Sequence, residues 1–470
     1  GAQLQSAVKL YFLIRTAMRK IRIVSVAIGT SILVSLSSCD KMVEFQPEDV
    51  ILAEAALETP DDLQRLLNSC YDVMGNLYDG RVQILSELLS NNLSEPTNNN
   101  DFKAVYTRET NFFTSTTGGV YTDFYRAIFR VNTLLESFEL IEGLTTSDRT
   151  RIEAEARFIR ALCHYQLVML WAQPYGYTTN NDHLGIVLRT LPSNEPLPRS
   201  TVNDAYTLIV SDLEFARDNL PAENGNYANR YAAFGLSAMV FMQMLDFENA
   251  SAYATEALSG SAELDGLDRF TENVSLETIF GIVSFLIDQR NESLRDNYRS
   301  DNNANPQLAL SGDFLSFMQL TPSDDRNNWI NVVNGRPLAT KFNRDIFNIP
   351  IIHVSMLKLL RAEAIALSNG DLSTAIADIN EIRERAFGEG INVLPQNSTA
   401  LEVITASREE MRKETVCEGH WLNHLKRFGV MGDNVEIRGA SWDCPGMALQ
   451  FPNGESSISG FVFNPEGGCN

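Results

Sequence analysis

Two stretches of the chain are spaced as helix–turn–helix hairpins with small residues on their facing sides, and this feature limits the fold most tightly. In residues 229–258, Ala232, Ala233, Gly235 and Ala238 fall on one helix. Asp246-Phe247 makes the turn, and Ala250, Tyr253, Ala254 and Ala257 line the returning helix. Residues 352–387 repeat the plan with Leu359, Ala362, Ala364 and Ala366, a turn at Asn369-Gly370-Asp371, then Ala375, Ile379, Ile382 and Ala386. Side chains this small let helix axes approach closely, and one hairpin cannot bury its own face. The spacing between the two units is irregular, so stacked hairpins are expected but not a regular solenoid.

Helical periodicity extends well beyond the hairpins. Thr59-Pro-Asp-Asp62 caps a run through Leu63, Leu66, Leu67 and Cys70. Residues 120–140 (Tyr121, Tyr125, Ile128, Phe129, Asn132, Leu135), 146–171 (Ala154, Phe158, Ala161, Tyr165, Val168) and 200–220 follow the same spacing. These features predict a mainly α fold in which hairpins of tetratricopeptide type form the scaffold. Long polar stretches at 90–119, 174–198, 271–324 and 439–470 separate the helices and are expected to carry the recognition surface.

The 470 residues carry a formal charge of −22. Residues 1–38 hold Lys9, Arg15, Arg19, Lys20 and Arg22 and no acid, so the remainder is more acidic still. Such a body repels phosphate backbones and anionic lipid, which argues against nucleic acid as a partner. Membrane attachment must therefore come from the N-terminus. There Met18-Arg-Lys-Ile-Arg22 precedes an uncharged run from Ile23 to Leu36, too short to span a bilayer comfortably. Leu36-Ser37-Ser38-Cys39 then resembles a bacterial lipobox, in which the cysteine is acylated (palmitate-type chains) and the preceding peptide removed. The expected division is an upstream extension and signal peptide over 1–38, with Met18 as the start; a lipidated tether over 39–58; and one binding domain over 59–470. Of the remaining cysteines, Cys444 and Cys469 could pair in the tail, whereas Cys70, Cys163 and Cys417 lie in apolar helical stretches and read as free buried thiols.

A family resemblance runs along nearly the whole mature chain. It is carried by the lipobox with Phe45-Gln-Pro-Glu-Asp49, by residues 125–132 (Tyr125 to Asn132) and by Ala154-Glu-Ala-Arg157-Phe-Ile-Arg160-Ala-Leu162 continuing to Trp171 and Pro174. Arg199-Ser-Thr-Val-Asn-Asp-Ala-Tyr206, Asp212-Leu-Glu-Phe-Ala216, Leu360-Arg-Ala-Glu363-Ala, residues 380–386 (Asn380, Arg383, Arg385, Ala386) and Glu414-Thr-Val-Cys-Glu418-Gly419 follow in order. Together these resemble the SusD/RagB outer-membrane nutrient-binding lipoproteins of Bacteroidetes. His420-Trp421 after Glu418-Gly419, and Asn453-Gly454 after Phe451-Pro452, depart from the family pattern. The resemblance implies a lipid-anchored protein on the outer face of the outer membrane. Its members bind oligosaccharide, or sometimes peptide, and pass it to a SusC-like TonB-dependent transporter without doing chemistry.

Residue chemistry alone leaves two other classes open. A surface glycoside hydrolase needs two carboxylates that are close only in space, and a ligand-free scaffold needs no site at all. Cys417-x-x-His420-x-x-x-His424 could bring three ligands to one zinc, but no fourth ligand cluster accompanies it, so neither metal nor cofactor is expected. The Asn99-Asn100-Asp101 group reads as a solvated turn rather than a calcium loop. Glu155, Arg157, Arg160, Glu363, Arg383 and Arg385 read as ion-pair struts between helices. Sugars favour flat aromatic faces edged by amides and hydroxyls, so aromatics in polar segments are the ligand candidates. These are Trp329 first, then Tyr78 with the nearby Asn91 and Asn92, then Tyr106 and Trp442; Trp171 and Trp421 fall on apolar helical faces and read as core.

Overall fold

The computed structural model describes residues 57–470 apart from 303, 467 and 470. The leader, Cys39 and nearly all of the tether lie outside the described residues. Residues 58–470 form one compact unit.

The scaffold is a continuous stack of helices. α1 (Pro60–Leu77), α4 (Ser115–Glu136), α5 (Thr146–Trp171), α6 (Val202–Asn219), α7 (Arg230–Gln243) and α8 (Phe247–Leu258) pack each on the next, with the short α2 (Arg81–Leu89) and α3 (Asn100–Thr107) between α1 and α4 in sequence. After β1 (Thr278–Ile282), α9 (Glu292–Tyr298), α10 (Gly312–Gln319), β2 (Ile330–Val333), β3 (Arg336–Ala339) and β4 (Ile349–His353), the stack resumes. α11 (Val354–Leu367) packs on α8, and α12 (Leu372–Phe387) and α13 (Ala400–Glu414) pack on α11. α14 (Trp421–Val430), β5 (Glu436–Ile437) and β6 (Ala440–Ser441) precede the tail.

Local chemistry sets the helix boundaries. Thr59, Thr201 and Thr399 each accept the N–H of the residue three places on, and Asp62, Asp204 and Glu402 return the bond, closing capping boxes on α1, α6 and α13. The two small-residue hairpins are α7–α8 and α11–α12, and α8 packs against α11. Their facing alanines have essentially no exposed surface: Ala232, Ala233, Ala254 and Ala257 in one, Ala362, Ala364, Ala375 and Ala386 in the other. At Gly235 a Cβ would come within 2.7 Å of Ile352, so the close packing there requires glycine.

The long polar segments hold more structure than an insertion of loops. The 271–324 stretch contains β1, α9 and α10, and 90–119 contains α3. β1 pairs antiparallel with β4 through an irregular register, and β2 pairs with β3. The tail is tied by a Cys444–Cys469 disulfide, while Cys70, Cys163 and Cys417 are free and buried.

The helices are joined by ion pairs inside the core. Arg160 makes a two-pronged bond to Asp212 (2.8 and 2.7 Å), linking α5 to α6. Glu363 of α11 meets Arg427 of α14 at 2.7 Å. The largest cluster centres on Glu414, which takes Arg269 (2.6 Å), Arg326 (2.8 Å) and Arg385 (2.7 Å). Arg326, wholly buried, also reaches Asp324 and Glu410, and Arg383 meets Glu410 at 3.0 Å. Burial alone would raise the Glu414 carboxyl; the three guanidinium groups outweigh it and hold the group down at about 2.

Candidate functional site

An open cleft of about 170 Å³ lies between the α6–α7 loop and β1. The loop runs Asn224-Gly-Asn-Tyr227-Ala-Asn229. Gly225 turns it with φ +57°, and the Asn224 side chain donates to the Ala228 carbonyl at 2.8 Å. Asn229 accepts the Ala232 N–H at 2.9 Å and thereby starts α7. Tyr71 of α1 fixes the loop from below: its hydroxyl accepts the Ala228 N–H (3.1 Å) and donates to Glu155 (2.7 Å), which Arg151 holds at 2.7 Å.

The result is a backed aromatic platform. The Tyr227 ring rests against the Tyr71 ring, centroids 4.8 Å apart at 54°, and Tyr227 keeps 40 % of its surface exposed. Across the cleft, β1 is bonded to β4 along one edge and, among the described residues, to no strand along the other. The Thr278 hydroxyl is buried and, among the described residues, has no hydrogen-bond partner. Asn348 holds the floor, donating to the Thr271 and Glu272 carbonyls and accepting the Ser284 N–H at 2.9 Å. Gly281 is needed there, since a Cβ would meet the Ile349 carbonyl oxygen at 2.6 Å. No Asp, Glu, Lys, Arg or His lines the cleft. A flat ring, amides and no charge suit a neutral, polar-edged, flat-faced ligand.

The residues singled out from sequence line neither this cleft nor the one described further below. Trp329 is buried in a short 3-10 turn, its ring 4.1 Å from the Lys341 ammonium. This corrects the expectation of an exposed platform. The polar residues beside it, Asp324 and Arg326, are themselves buried ion-pair members, so the segment turns inward. Tyr78 is buried at the end of α1, and Asn92 is buried among Glu87 and Arg412. Asn91 accepts the Trp421 indole N–H at 2.9 Å, the Tyr106 ring lies 4.1 Å from Arg438, and Trp442 packs on Gly429. Each of these holds a loop to the scaffold. Tyr227 is not among those residues, although an aromatic inside Asn-Gly-Asn-Tyr-Ala-Asn meets the same criterion.

The zinc spacing also resolves differently. Cys417 takes a left-handed backbone (φ +64°) and packs apart from the histidines, beside Tyr298 and Glu87. His353, Glu418 and His420 instead bring ligand atoms within 4.8 Å of one another. That group is poorly suited to a cation. Glu418 is already matched by Lys341 (2.7 Å) and Arg269 (3.1 Å), and His353 Nδ1 accepts the Met356 N–H. A divalent ion would enter beside two fixed positive charges.

Comparison with known proteins accords with this architecture. Residues 50–242 match a family model described as starch-binding, associating with outer membrane, and residues 347–455 match the SusD family model. The two matches together cover more than half of the chain, and the protein belongs to the SusD/RagB family. A SusD-like protein of Formosa agariphila is 22% identical over 492 residues, covering 88% of this chain and 92% of its own. Among solved structures, a SusD superfamily protein from Bacteroides thetaiotaomicron superposes with a TM-score of 0.76 at 22% identity, covering 87% of this chain and all of the other. A laminarin-binding SusD-like protein superposes with a TM-score of 0.68 at 19% identity, covering 87% and 99%. Among the described residues no helix is long and apolar enough to cross a membrane.

Proposed function

We propose that the protein captures a neutral oligosaccharide at the Tyr227 cleft and hands it to a SusC-like TonB-dependent transporter, held at the outer membrane by acyl chains on Cys39. The observation that carries this reading is the uncharged cleft with a rigidly backed, half-open tyrosine ring. A pyranose presents a C–H face to such a ring while its hydroxyls meet the Asn226 amide. Binding without chemistry is favoured because a glycosidase needs a pair of carboxylates about the scissile bond, and none lines this cleft. The anchor rests on the sequence from Leu36 to Cys39, and the transporter on family membership.

One feature favours a second reading. The unpaired edge of β1 could add an extended peptide as a strand. Calorimetric titration with neutral hexasaccharides, an acidic glycan and extended peptides separates the two. Tyr227→Ala is expected to weaken hexasaccharide binding roughly tenfold, equivalent to ~1.4 kcal/mol, with an unchanged melting temperature. Binding of peptides alone would replace the glycan reading. Release of new reducing ends, abolished by a single Asp or Glu change, would make the protein an enzyme.

A further inference from the structure

A second open cleft, of about 330 Å³, lies between the loop carrying Tyr175, one face of α6 and the end of α7. Its floor is apolar, with Tyr206 and Phe241 buried. Tyr175 stands edge-on to Tyr206, ring centroids 4.9 Å apart at 65°. The loop behind Tyr175 is pinned: Gly176 donates to the Asn181 side chain, and a Cβ on Gly176 would come within 2.5 Å of Val430. His183 bridges back to the Gln173 carbonyl at 3.1 Å. The ring is therefore presented by fixed backbone, and little ordering remains to be done on binding.

The facing wall is polar in a specific way. Asn203, Thr207, Ser211 and Glu214 recur at three- and four-residue spacing on α6 and so share one face. Among the described residues, the Asn203 amide, the Ser211 hydroxyl and the Glu214 carboxylate have no hydrogen-bond or ion-pair partner. No Lys, Arg or His lines the cleft.

We infer that this cleft is a second carbohydrate subsite, sized for one or two pyranose rings of an uncharged oligosaccharide. An aromatic edge over an apolar floor takes the C–H face of a sugar. The amide, hydroxyl and carboxylate opposite it take the hydroxyls, a carboxylate oxygen pair being able to accept from two neighbouring hydroxyls. Sulfated and uronate sugars are disfavoured, because Glu214 would face their charge with no cation to offset it. The volume lies at the lower end of ligand pockets, which run ~300–1,000 Å³. The inference rests on the glycan reading above but uses other residues on other elements. Two subsites on one chain would bind a polymer more tightly than either alone, provided both can be engaged at once.

Ser211→Trp places an indole into the cleft from an exposed helix position, and the tenfold weakening in Tyr227→Ala takes the first cleft below detection at the concentrations titrated. Laminarihexaose and maltohexaose are titrated into the unaltered protein, each single variant and the double variant, with melting temperature as the folding control. The expected result for the hexasaccharide that binds is two sites in the unaltered protein, one in each single variant and none in the double. Unchanged stoichiometry in Ser211→Trp, or complete loss in Tyr227→Ala alone, overturns the second subsite and leaves the first standing. Complete loss in Ser211→Trp with Tyr227→Ala unaffected keeps the second and removes the first. No binding of either sugar by the unaltered protein overturns both.

Discussion

Glu87 offers a sharp test of how the core handles charge. It sits on α2 with no exposed surface, and hydrogen bonds rather than an ion pair hold it. Its Oε1 accepts the Gly419 N–H at 3.0 Å, and Oε2 lies 3.4 Å from the Asn92 amide and the Ser90 hydroxyl. Burial pushes the carboxyl from its ordinary 4.5 up to about 7, against the smaller opposing effect of those bonds. Below pH 4.5 both the folded and unfolded chains keep the proton, and the stability is fully present. As pH rises the unfolded chain ionises first, so stability is lost between 4.5 and about 7. At 1.36 kcal/mol per pH unit the loss is ~3 kcal/mol.

Glu87→Gln keeps a carbonyl oxygen for the Gly419 N–H and never ionises. The variant should therefore match the unaltered protein within ~0.5 kcal/mol at pH 4.5 and exceed it by ~2–3 kcal/mol at pH 8. Urea unfolding followed by tryptophan fluorescence at pH 4.5, 6 and 8 reads this directly. The depressed carboxyls of Glu414 and Glu363, both near 2, lose their contribution only as pH falls below the ordinary range, and they do so in both proteins. Parallel stability curves across the three pH values, or a less stable variant at pH 8, would refute the reasoning.

Other perturbations follow from the same contacts. Arg326→Met leaves Asp324, Glu410 and Glu414 each short of a partner and should cost ~3 kcal/mol, at the low end for a broken buried pair because Lys413, Arg383, Arg269 and Arg385 remain; urea titration measures it. Trp329→Ala should lower stability by ~3 kcal/mol while the folded protein keeps its oligosaccharide affinity, the reverse of what an exposed platform would give. Cys469→Ser opens a loop of 25 residues, worth ~3 kcal/mol of chain restriction, and limited proteolysis should then cut within residues 439–470 first.

Much of the scaffold was legible because helix periodicity and small-residue faces are local signals. The helix over 146–171 and both hairpins lie where the spacing of Ala, Leu and Ile puts them. The struts were legible too: Arg160, Glu363, Arg383 and Arg385 all meet opposite charges across helix pairs. The partners were not, because they depend on tertiary packing; Arg269 and Arg326 flank the 271–324 polar stretch on either side. The Glu414–Gly419 segment shows what such a motif does. Glu414 and Glu418 supply buried anions, and Gly419, at φ +84°, approaches the Gln83 backbone so closely that a Cβ would lie 2.7 Å from its Cα.

Trp329 faces the core for a physical reason. Polar neighbours suggest that a segment faces water, yet Asp324 and Arg326 pair with each other inside the core, where Arg326 also meets Glu414. A tryptophan in that company covers buried cations and excludes water from them, as Trp329 does over Lys341. Segments with both charge signs can satisfy themselves internally and turn inward. Segments of Asn, Gly and Ser carry no such internal pairing, and they turn inward only where a charged group of the scaffold meets them, as Glu87 and Arg412 meet Asn92. The loop around Tyr227 is of this second kind, with Asn224, Gly225, Asn226 and Asn229 and no charge between Asn224 and Asn229. An aromatic among uncharged turn residues thus keeps its ring partly open, as Tyr227 does, whereas mixed charges around Trp329 draw it into the core.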